Sequence, residues 1–476
     1  MRLTKQWVVF EDMDKKLKVL LIVEQCNPEG SSVPLVGYNF YKEISQRAEV
    51  TLVTHGRNQA SLKRAHPDSD IVYLYESDWS RRYYTVADRL SRIKGKIIWP
   101  LRLTLAYPIY AEFNRQVYQQ FAPAIEQGRY DIVHAITPMV PRYPVKVVDA
   151  CDRTPFILGP VNGGVPYPDG FKSVGRREFS GLNFLRSVGR FLIPGYQQTY
   201  QQADYILAGS SYTAGLIKRL FDLSDERVEL FYENGLMPEF IKSSPTAQGS
   251  VQTTVPVPDQ PPDQPPDPLS DPLLNLLFVG RLVPYKSADI LIESLSKLPA
   301  DILQRVRLTI VGDGSERGAL ERQVAALNLE QTVTFTGWVA QTETLQYYRQ
   351  SDIFCFPSVR EFGGAVVLEA MANGLPCIVV NNGGIGEYVT EQTGYKIEPI
   401  SPLFVVQALA ESIEQLAINP SLRQEMAENA IQRASAFTWD AKAARIVEIY
   451  RDLHSAYATT HATTDGQTPR PAKLSV

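Results

Sequence analysis

One segment of this chain, residues 351–376, limits the possible folds more than any other. It opens with the short apolar run Ser-Asp-Ile-Phe-Cys-Phe-Pro-Ser, which ends near a proline and is typical of a buried strand. Two glycines, Gly363 and Gly364, then precede a run of strong helix formers that the sequence Gly-Leu-Pro ends. Carboxylates stand before and inside this helix, at Glu361 and Glu369. The pattern predicts a strand, a turn and a helix in succession.

The predicted turn suits a ligand that carries phosphate. Backbone amides at a helix N-terminus attract anions, and glycines let a ligand approach the backbone closely. Because Glu369 lies eight residues beyond Glu361, the two carboxylates cannot share one contact. They would suit a ligand with hydroxyl groups at both ends and phosphates in the middle. The alternative is a helix with two unrelated surface glutamates.

Residues 358–378 closely resemble the signature of glycosyltransferase family 4, whose retaining enzymes have the two-domain GT-B fold. The resemblance implies a nucleotide-sugar ligand. It implies that Glu361 touches the donor sugar and that Glu369 binds the ribose hydroxyls. The donor-binding residues that it implies in this segment are Glu361, Phe362, Gly363, Gly364, Ala365 and Glu369.

A second block precedes the signature. The apolar run 276–279 ends at Gly280 and Arg281, and Lys286 follows five residues after the arginine. Two cations at the end of a strand can neutralise a diphosphate leaving group; a solvated Arg–Lys pair is the alternative. The block resembles the family's strand-Gly-Arg-x4-Lys element. The resemblance implies that Arg281 and Lys286 hold the donor diphosphate and, with Glu361, form the catalytic set.

The run 306–314 ends in a Val-Gly-x-Gly turn at Gly312 and Gly314, which partly matches a dinucleotide-binding fingerprint. The third glycine falls at Gly318, one place late, and no acidic residue ends a following strand at the usual spacing. The turn resembles the Val-Gly-x-Gly element of the family. We interpret it as shaping the donor cleft rather than binding NAD.

The next block, residues 333–339, resembles the strand and loop that hold the nucleotide base. Its loop contains Gly337, Trp338 and Val339. Backbone groups of this loop are implied to contact the base. Trp338 is either part of that contact or an ordinary core or rim residue.

The composition bounds the class of protein. A chain of 476 residues is too long for one core and predicts two domains. A net charge of −4 argues against a dedicated nucleic-acid binder. The four cysteines have neither metal nor disulfide spacing, so we expect buried thiols in a reducing compartment. No signal peptide and no membrane span are evident. We expect a cytoplasmic protein.

Five regions follow from these blocks and from composition. The stretch 241–273 is rich in proline and aspartate and is expected to be an extended or disordered linker. The stretch 437–455 resembles the family's last helix, which crosses back onto the first domain. The regions are an acceptor-binding Rossmann-like domain at 1–240, the linker at 241–273, a nucleotide-sugar-binding Rossmann-like domain at 274–436, the crossover helix at 437–455, and a mobile tail at 456–476.

Three residues of the first domain are candidates for the acceptor site. Gly30 lies in the loop after the first predicted strand, where the family often has a glycine-rich loop; this chain has fewer glycines there. His134 ends a later strand, but only the first position of the family's His-x-His pair is present. A packed or capping histidine is the alternative. Asn162 begins an Asn-Gly-Gly turn where members often have a histidine, and could bind an acceptor hydroxyl.

Two basic stretches lie in the same domain. Residues 81–102 contain seven Lys or Arg against one aspartate, with aromatic residues between them. Residues 172–190 contain five against one glutamate. Solvated helix faces are one interpretation. The other is a peripheral surface that meets the inner face of an anionic membrane and a lipid-linked acceptor.

The resemblance implies a retaining glycosyltransferase of GT-B fold that needs no cofactor and no metal. It would move a hexose from a UDP- or GDP-sugar to an acceptor hydroxyl, in polysaccharide or glycolipid biosynthesis, without a nucleic-acid partner. No side chain is an obvious covalent nucleophile, so the family suggests front-face transfer, in which the leaving phosphate draws the acceptor proton. A nucleotide-sugar hydrolase or epimerase, a synthase with a soluble acceptor, and a non-catalytic relative are the alternatives.

Overall fold

The computed structural model describes residues 16–93, 96–241 and 273–463. Residues 242–272 of the predicted linker and residues 464–476 of the predicted tail lie outside this part of the chain. Two α/β domains make up the described structure, each with a parallel sheet between helices.

The first domain is organised around a seven-stranded parallel sheet in the order β3-β2-β1-β6-β7-β8-β9. Its strands are apolar because helices cover both faces. The strands are β1 (Lys18–Ile22), β2 (Glu49–His55), β3 (Ile71–Leu74), β6 (Ile132–Ala135), β7 (Phe156–Val161), β8 (Tyr205–Ala208) and β9 (Val228–Leu230); β4 (Arg92–Ile93) and β5 (Lys96–Ile97) form a separate antiparallel pair.

Helices of the first domain alternate with these strands, as the sequence predicts. The first begins at Val33, because Pro34 is well tolerated in a first helical turn. The helices are α1 (Val33–Ser45), α2 (Gln59–Ala65), α3 (Asp78–Leu90), α4 (Trp99–Leu105), α5 (Tyr107–Glu126), α6 (Lys172–Arg177), α7 (Phe184–Leu192), α8 (Tyr196–Gln202) and α9 (Ser211–Phe221).

The second domain has a six-stranded parallel sheet in the order β12-β11-β10-β13-β14-β15. Its strands are β10 (Leu274–Val279), β11 (Val306–Val311), β12 (Val333–Gly337), β13 (Ile353–Phe356), β14 (Cys377–Val380) and β15 (Gly394–Ile397). Its helices are α10 (Ala288–Leu295), α11 (Ala300–Arg305), α12 (Arg317–Ala326), α13 (Gln341–Arg349), α14 (Ala365–Ala372), α15 (Ile385–Tyr388), α16 (Pro402–Ile418) and α17 (Pro420–Ala434).

The last helix, α18 (Trp439–Thr463), returns to the first domain, as the sequence predicts. Thr438 caps it, because its hydroxyl accepts a hydrogen bond from the Ala441 amide at 3.1 Å. The helix is longer than predicted: residues 456–463 continue it instead of starting a mobile tail. The buried Tyr457 shows why, since its hydroxyl donates to the Asp204 carboxylate at 2.6 Å.

All four cysteines are free and buried, as predicted. Among the described residues, no helix has both the length and the apolar character needed to cross a bilayer.

Candidate active site

The two domains meet at a cleft formed by loops that leave the carboxyl ends of their strands. In open α/β sheets this edge is where ligands bind. The Asn162 amide, after β7, donates to the Phe362 carbonyl at 3.1 Å, and the Arg360 guanidinium donates to the Val165 carbonyl at 2.9 Å. Arg360 and Phe362 belong to the signature turn, residues 358–364. The predicted donor loop therefore faces the first domain directly.

Lys286 and Glu361 form an ion pair on the second-domain side of this cleft. Lys286 lies just before α10 and Glu361 in the signature turn, and both side chains are largely buried. The Ser358 hydroxyl donates to the same carboxylate at 3.3 Å, and the Lys286 ammonium lies 4.6 Å from the centre of the Phe356 ring. The structure thus brings together two of the three residues that the sequence predicts to be catalytic.

Arg281, the third, lies in the loop after β10 that also carries Lys286. Its side chain is exposed and donates to the Tyr285 hydroxyl at 3.0 Å. Since Arg281 is the more accessible of the two cations, it can reorient toward a ligand at little cost. Lys286 is held in place by Glu361.

Glu369 is buried on α14 and is held by two hydrogen bonds. The Gln341 amide and the Tyr348 hydroxyl each donate to its carboxylate at 2.9 Å. Burial raises the pKa of Glu369. Gln341 starts α13 just after the predicted base loop, so Glu369 lies beside that loop, away from Glu361. Trp338, also in the loop, is 78% exposed and is therefore a rim residue rather than a core residue.

The turns around β10 and β11 are shaped by close backbone contacts. A Cβ at Gly312 would fall 2.0 Å from the Gly280 carbonyl oxygen, and one at Gly314 would fall 2.3 Å from that of Leu282. The Gly312 amide also donates to the Gly337 carbonyl at 2.9 Å. These glycines let three loops pack together at one edge of the sheet, which agrees with a cleft-shaping role. Val339 is half-buried next to them.

Gly364 has a φ of +58°, a conformation that favours glycine, and it precedes Ala365, the first residue of α14. Gly363 is needed for a different reason. A Cβ there would fall 2.3 Å from an oxygen of Glu233 and 2.2 Å from the amide nitrogen of Asn234. The first domain itself therefore occupies the space beside Gly363, where the sequence predicts a ligand.

Glu233 is a site residue that sequence reasoning missed. It follows β9 in the first domain, lies beside the Asn162 amide, and faces Glu361 across the cleft. Burial, with a smaller contribution from the nearby Glu361 charge, raises the pKa of Glu233 to about 7. Burial lowers the pKa of Lys442, on α18, to about 7, while the Glu233 charge opposes that shift. Only the position of Glu233 before an Asn-Gly pair could have marked it in the sequence.

Comparison with known proteins places the second domain in a family. Residues 263–433 match the family described as "Glycosyl transferases group 1". The second domain belongs to this family. A D-inositol 3-phosphate glycosyltransferase of Corynebacterium glutamicum is 32% identical over 197 residues, which are 40% of this chain and 45% of that protein. Another, of Streptosporangium roseum, is 28% identical over 54% of this chain and 57% of that protein. The chain thus matches about half the length of these relatives.

The group 1 domain is part of a GT-B fold. Sucrose-phosphate synthase of Thermosynechococcus elongatus aligns with a TM-score of 0.60 and 19% identity, over 93% of this chain and all (100%) of that one. Anabaena HepE in complex with UDP aligns with a TM-score of 0.57 and 19% identity, over 92% of this chain and 100% of that one. At such identities the similarity establishes the fold, which confirms the predicted two-domain architecture.

In the first domain of this GT-B fold, His134 is fully buried and both ring nitrogens are engaged. Nε2 lies 2.8 Å from the Gly159 carbonyl oxygen and Nδ1 lies 2.6 Å from the Tyr450 hydroxyl. The carbonyl can only accept, so Nε2 donates and Nδ1 accepts from the tyrosine. Burial lowers the pKa of His134 to about 4, which keeps the ring neutral. This environment fits the packed-histidine interpretation and ties α18 to the first domain.

The Asn162 side chain is also engaged in hydrogen bonds within the chain. Its side-chain oxygen accepts from the Ser210 and Thr213 hydroxyls at 3.0 Å each, and its amide reaches Phe362. In the described structure it joins the domains of this GT-B protein, and its role toward an acceptor stays a prediction. Gly30 lies in the loop after β1, where its amide donates to the Asn27 carbonyl at 3.2 Å. Its acceptor role stays a prediction.

Proposed function

We propose that the chain is a retaining glycosyltransferase that moves a hexose from a nucleoside diphosphate sugar, with UDP-glucose as the first candidate donor, to an acceptor hydroxyl. The observation that carries this proposal is the Lys286–Glu361 pair, which lies at the N-terminus of α14 and faces the first domain. The relatives named above are glycosyltransferases, and HepE is known in complexes with UDP and with UDP-glucose. These facts support the donor class.

In this proposal each donor group meets a matching part of the second domain. Arg281 and Lys286 bind the diphosphate, together with the backbone amides that begin α14. Glu361 contacts hydroxyls of the sugar and orients its reacting face. Glu369 lies beside the base loop and binds the ribose hydroxyls.

The transfer would proceed on one face of the sugar. As the bond from C1 to the diphosphate oxygen breaks, the acceptor oxygen bonds to C1 from the same side. The proton of the acceptor hydroxyl passes to the departing phosphate oxygen, so no separate base is required. Arg281 and Lys286 stabilise the charge that grows on the diphosphate. In this proposal the lysine and the arginine stabilise the diphosphate charge, as a metal ion does in other enzymes. Full activity in the presence of a chelator would support this role.

A ligand screen followed by product analysis tests the proposal. UDP, GDP and ADP, each at about 100 times its dissociation constant, would stabilise the protein by roughly 2.7 kcal/mol if they bind. Transfer from the matching α-linked nucleotide-sugar should give an α-glycoside by proton NMR. A β-glycoside would refute the retaining mechanism. Turnover without acceptor would favour the hydrolase or epimerase, and nucleotide binding without turnover would favour the non-catalytic relative.

A membrane surface is the second part of the proposal. The two basic stretches predicted from sequence come together in the fold, because α4 packs against both α3 and α7. These helices carry large apolar side chains that point into solvent. This apolar surface comprises Trp79, Tyr84, Val86 and Leu90 of α3, Trp99 of α4, and Phe184, Val188, Phe191 and Leu192 of α7.

Exposed basic residues border the apolar surface. Arg82, Arg89 and Arg176 are exposed, and no described carboxylate pairs with them. Large exposed apolar patches mark interaction sites, and cations around such a patch suit anionic lipid headgroups. We propose that this surface docks on the anionic inner face of a membrane, where a cytoplasmic enzyme would meet a lipid-linked acceptor of polysaccharide or glycolipid synthesis.

A further inference from the structure

Four half-buried arginines converge on residues 163–165, the turn after β7. The Arg360 guanidinium, from the second domain, donates to the Val165 carbonyl at 2.9 Å. The Arg186 Nη1 atom lies 3.4 Å from where a Cβ on Gly164 would be, and Arg190 follows it by one helical turn on α7. The segment that carries Arg142 packs on the same turn, because a Cβ on Gly163 would lie 3.2 Å from the ring of Pro141. The arginine cluster consists of Arg142, Arg186, Arg190 and Arg360.

The arginine cluster has more positive charge than its protein surroundings neutralise. Within the described part of the chain, none of its members forms an ion pair with a carboxylate, and the buried Nε atoms of Arg186 and Arg190 have no hydrogen-bond partner. Burial, and after it the positive charges of Arg186 and Arg360, lower the pKa of Arg142 to about 10. Glu178 interacts electrostatically with Arg360 without forming an ion pair with it. Half-buried like charges are costly unless an anion accompanies them.

We propose that the arginine cluster binds a phosphate or diphosphate group carried by the acceptor. The planar guanidinium fork matches phosphate oxygens, and several forks around one cleft can bind a multiply charged group. Three of the four arginines belong to the first domain, whereas Arg281 and Lys286 of the proposed diphosphate site both lie after β10 of the second. This inference rests on the proposed function and specifies the class of acceptor.

The architecture of α7 shows how such an acceptor could reach the cleft. Arg186 and Arg190 lie on the half-buried side of this helix, while Phe191 and Leu192 are 81% and 73% exposed. Cations therefore face inward and apolar side chains face outward, the reverse of an ordinary surface helix. A phosphate held by the inner face would lie directly beneath the proposed membrane surface. A lipid-linked sugar diphosphate and a water-soluble sugar phosphate share the chemistry that this site recognises.

Titration of the UDP-loaded protein with inorganic pyrophosphate tests the site. Saturating UDP blocks the donor diphosphate site, so further binding by calorimetry reports the arginine cluster. We expect Arg142→Gln with Arg186→Gln to weaken pyrophosphate binding at least tenfold and to leave UDP binding unchanged. The matched control is Arg153→Gln with Arg219→Gln, which removes the same charge from exposed positions of the first domain. Absence of pyrophosphate binding in the UDP-loaded wild type, or equal binding in the double variant, would overturn the proposal.

Failure of UDP to bind would instead refute the proposed donor class, and the comparison of wild type with the double variant would still test the cluster. Arginines that serve only to hold the fold would show themselves by a lower melting temperature of the double variant. We expect no decrease, because the substitutions remove uncompensated charge. Initial rates with a sugar phosphate in solution and with a polyprenyl diphosphate sugar in vesicles distinguish the two sources. An equal loss of rate on a neutral acceptor, methyl glucoside, would contradict a phosphate-specific role.

Discussion

The Glu233 carboxylate of the first domain lies so close to Gly363 of the second that a Cβ at Gly363 would fall 2.3 Å from Glu233 Oε1. Any side chain at this position would therefore have to displace Glu233 and Asn234. The contact also puts a carboxyl group of the first domain next to Glu361. Gly363 therefore has two roles: it belongs to the turn that precedes α14, and it leaves room for Glu233 of the first domain.

Gly363→Ala should hold the domains apart. The backbone at Gly363 does not have a positive φ, so alanine fits the turn itself. The effect comes from its methyl group, which would collide with the side chains of Glu233 and Asn234. A displacement of about 1 Å between donor and acceptor can cost roughly 100-fold in rate, so we expect a loss of that order in kcat. Steady-state kinetics measures it.

The control for this substitution is Gly318→Ala on α12, where the nearest atom to a new Cβ is a flexible arginine end at 3.7 Å. That variant should keep full activity and gain slightly in stability, because alanine is a better helix former than glycine. A Gly363→Ala enzyme with wild-type kcat would show that the contact with Glu233 does not limit closure.

The raised pKa of Glu233 makes stability depend on pH in a known direction. Unfolded Glu233 ionises above about 4.5, whereas burial holds the native carboxyl protonated until a pKa of about 7. The free energy of unfolding should therefore fall as the pH rises from about 4.5 to about 7. Glu233→Gln should remove this part of the profile. Urea unfolding at about pH 5 and about pH 7.5 measures this. The free energy of unfolding of the variant, relative to that of the wild type, should be higher at about pH 7.5 than at about pH 5.

Lys442 contributes with the opposite sign. Its native pKa is lowered to about 7 from 10.5, so the native state releases its proton earlier than the unfolded chain. Stability should rise with pH between these values, and Lys442→Met should abolish that rise. Identical profiles for wild type and Lys442→Met above neutral pH would mean that the ammonium is solvated in the native state.

The strand, turn and helix of the signature segment follow from the sequence because their signals are local. Residues 365–372 form α14 as predicted, since strong helix formers lie between glycines. Gly363 was visible too, but a glycine does not say whether a ligand or another loop approaches it. That distinction depends on Glu233, which the fold brings from the other domain.

Contacts between distant parts of the chain were beyond sequence reasoning for the same reason. The sequence marks His134 at the end of a strand but not Tyr450, which binds it from α18. It marks Lys286 and Glu361 separately, although they are 75 residues apart and form one ion pair. Residue type and order suggested the chemistry of each group, whereas their pairing is a property of the three-dimensional packing.

Because Lys286 pairs with Glu361 and Arg281 does not, substitutions of the two cations should have different effects on stability. Arg281→Ala and Lys286→Ala should each lower turnover by orders of magnitude, because both act where leaving-group charge grows. Only Lys286→Ala should also cost stability, on the order of 3 kcal/mol, since it leaves a buried carboxylate without its partner. Kinetics together with urea unfolding measures both effects. Near-normal rates in both variants would remove these residues from the mechanism.

Substitutions of Glu361 and Glu369 should change different kinetic parameters. Glu361 lies with Lys286 at the cleft, so Glu361→Gln should mainly lower kcat. Glu369 lies beside the base loop, so Glu369→Gln should mainly raise the donor KM. Tyr348→Phe removes one hydrogen bond to Glu369 and should raise KM in the same direction but less. The reverse pattern, a KM effect from Glu361 and a kcat effect from Glu369, would mean that the two roles are exchanged.

Membrane docking should depend on the outward face of α7. Phe191→Ser with Leu192→Ser removes the two most exposed side chains of the apolar surface. Burying one such side chain is worth about 1.5–3 kcal/mol, so losing both should weaken binding to anionic vesicles at least roughly tenfold. Co-sedimentation measures this. Leu403→Ser with Ile418→Ser on α16 is the matched control, because these side chains are also exposed but belong to the second domain.

The basic border of the same surface should act through salt-sensitive attraction. Replacing Arg81, Arg82, Arg176 and Arg177 with Gln should weaken vesicle binding more than donor hydrolysis, since the proposed donor pocket lies in the other domain. Binding of the wild type should also fall as salt rises, because the screening length is only about 8 Å near physiological ionic strength. Arg81 pairs with Asp78 and Arg177 pairs with Glu316, so most of the loss should come from Arg82 and Arg176. Wild-type protein that fails to sediment with anionic vesicles at low salt would indicate a soluble acceptor and a different partner for the apolar surface.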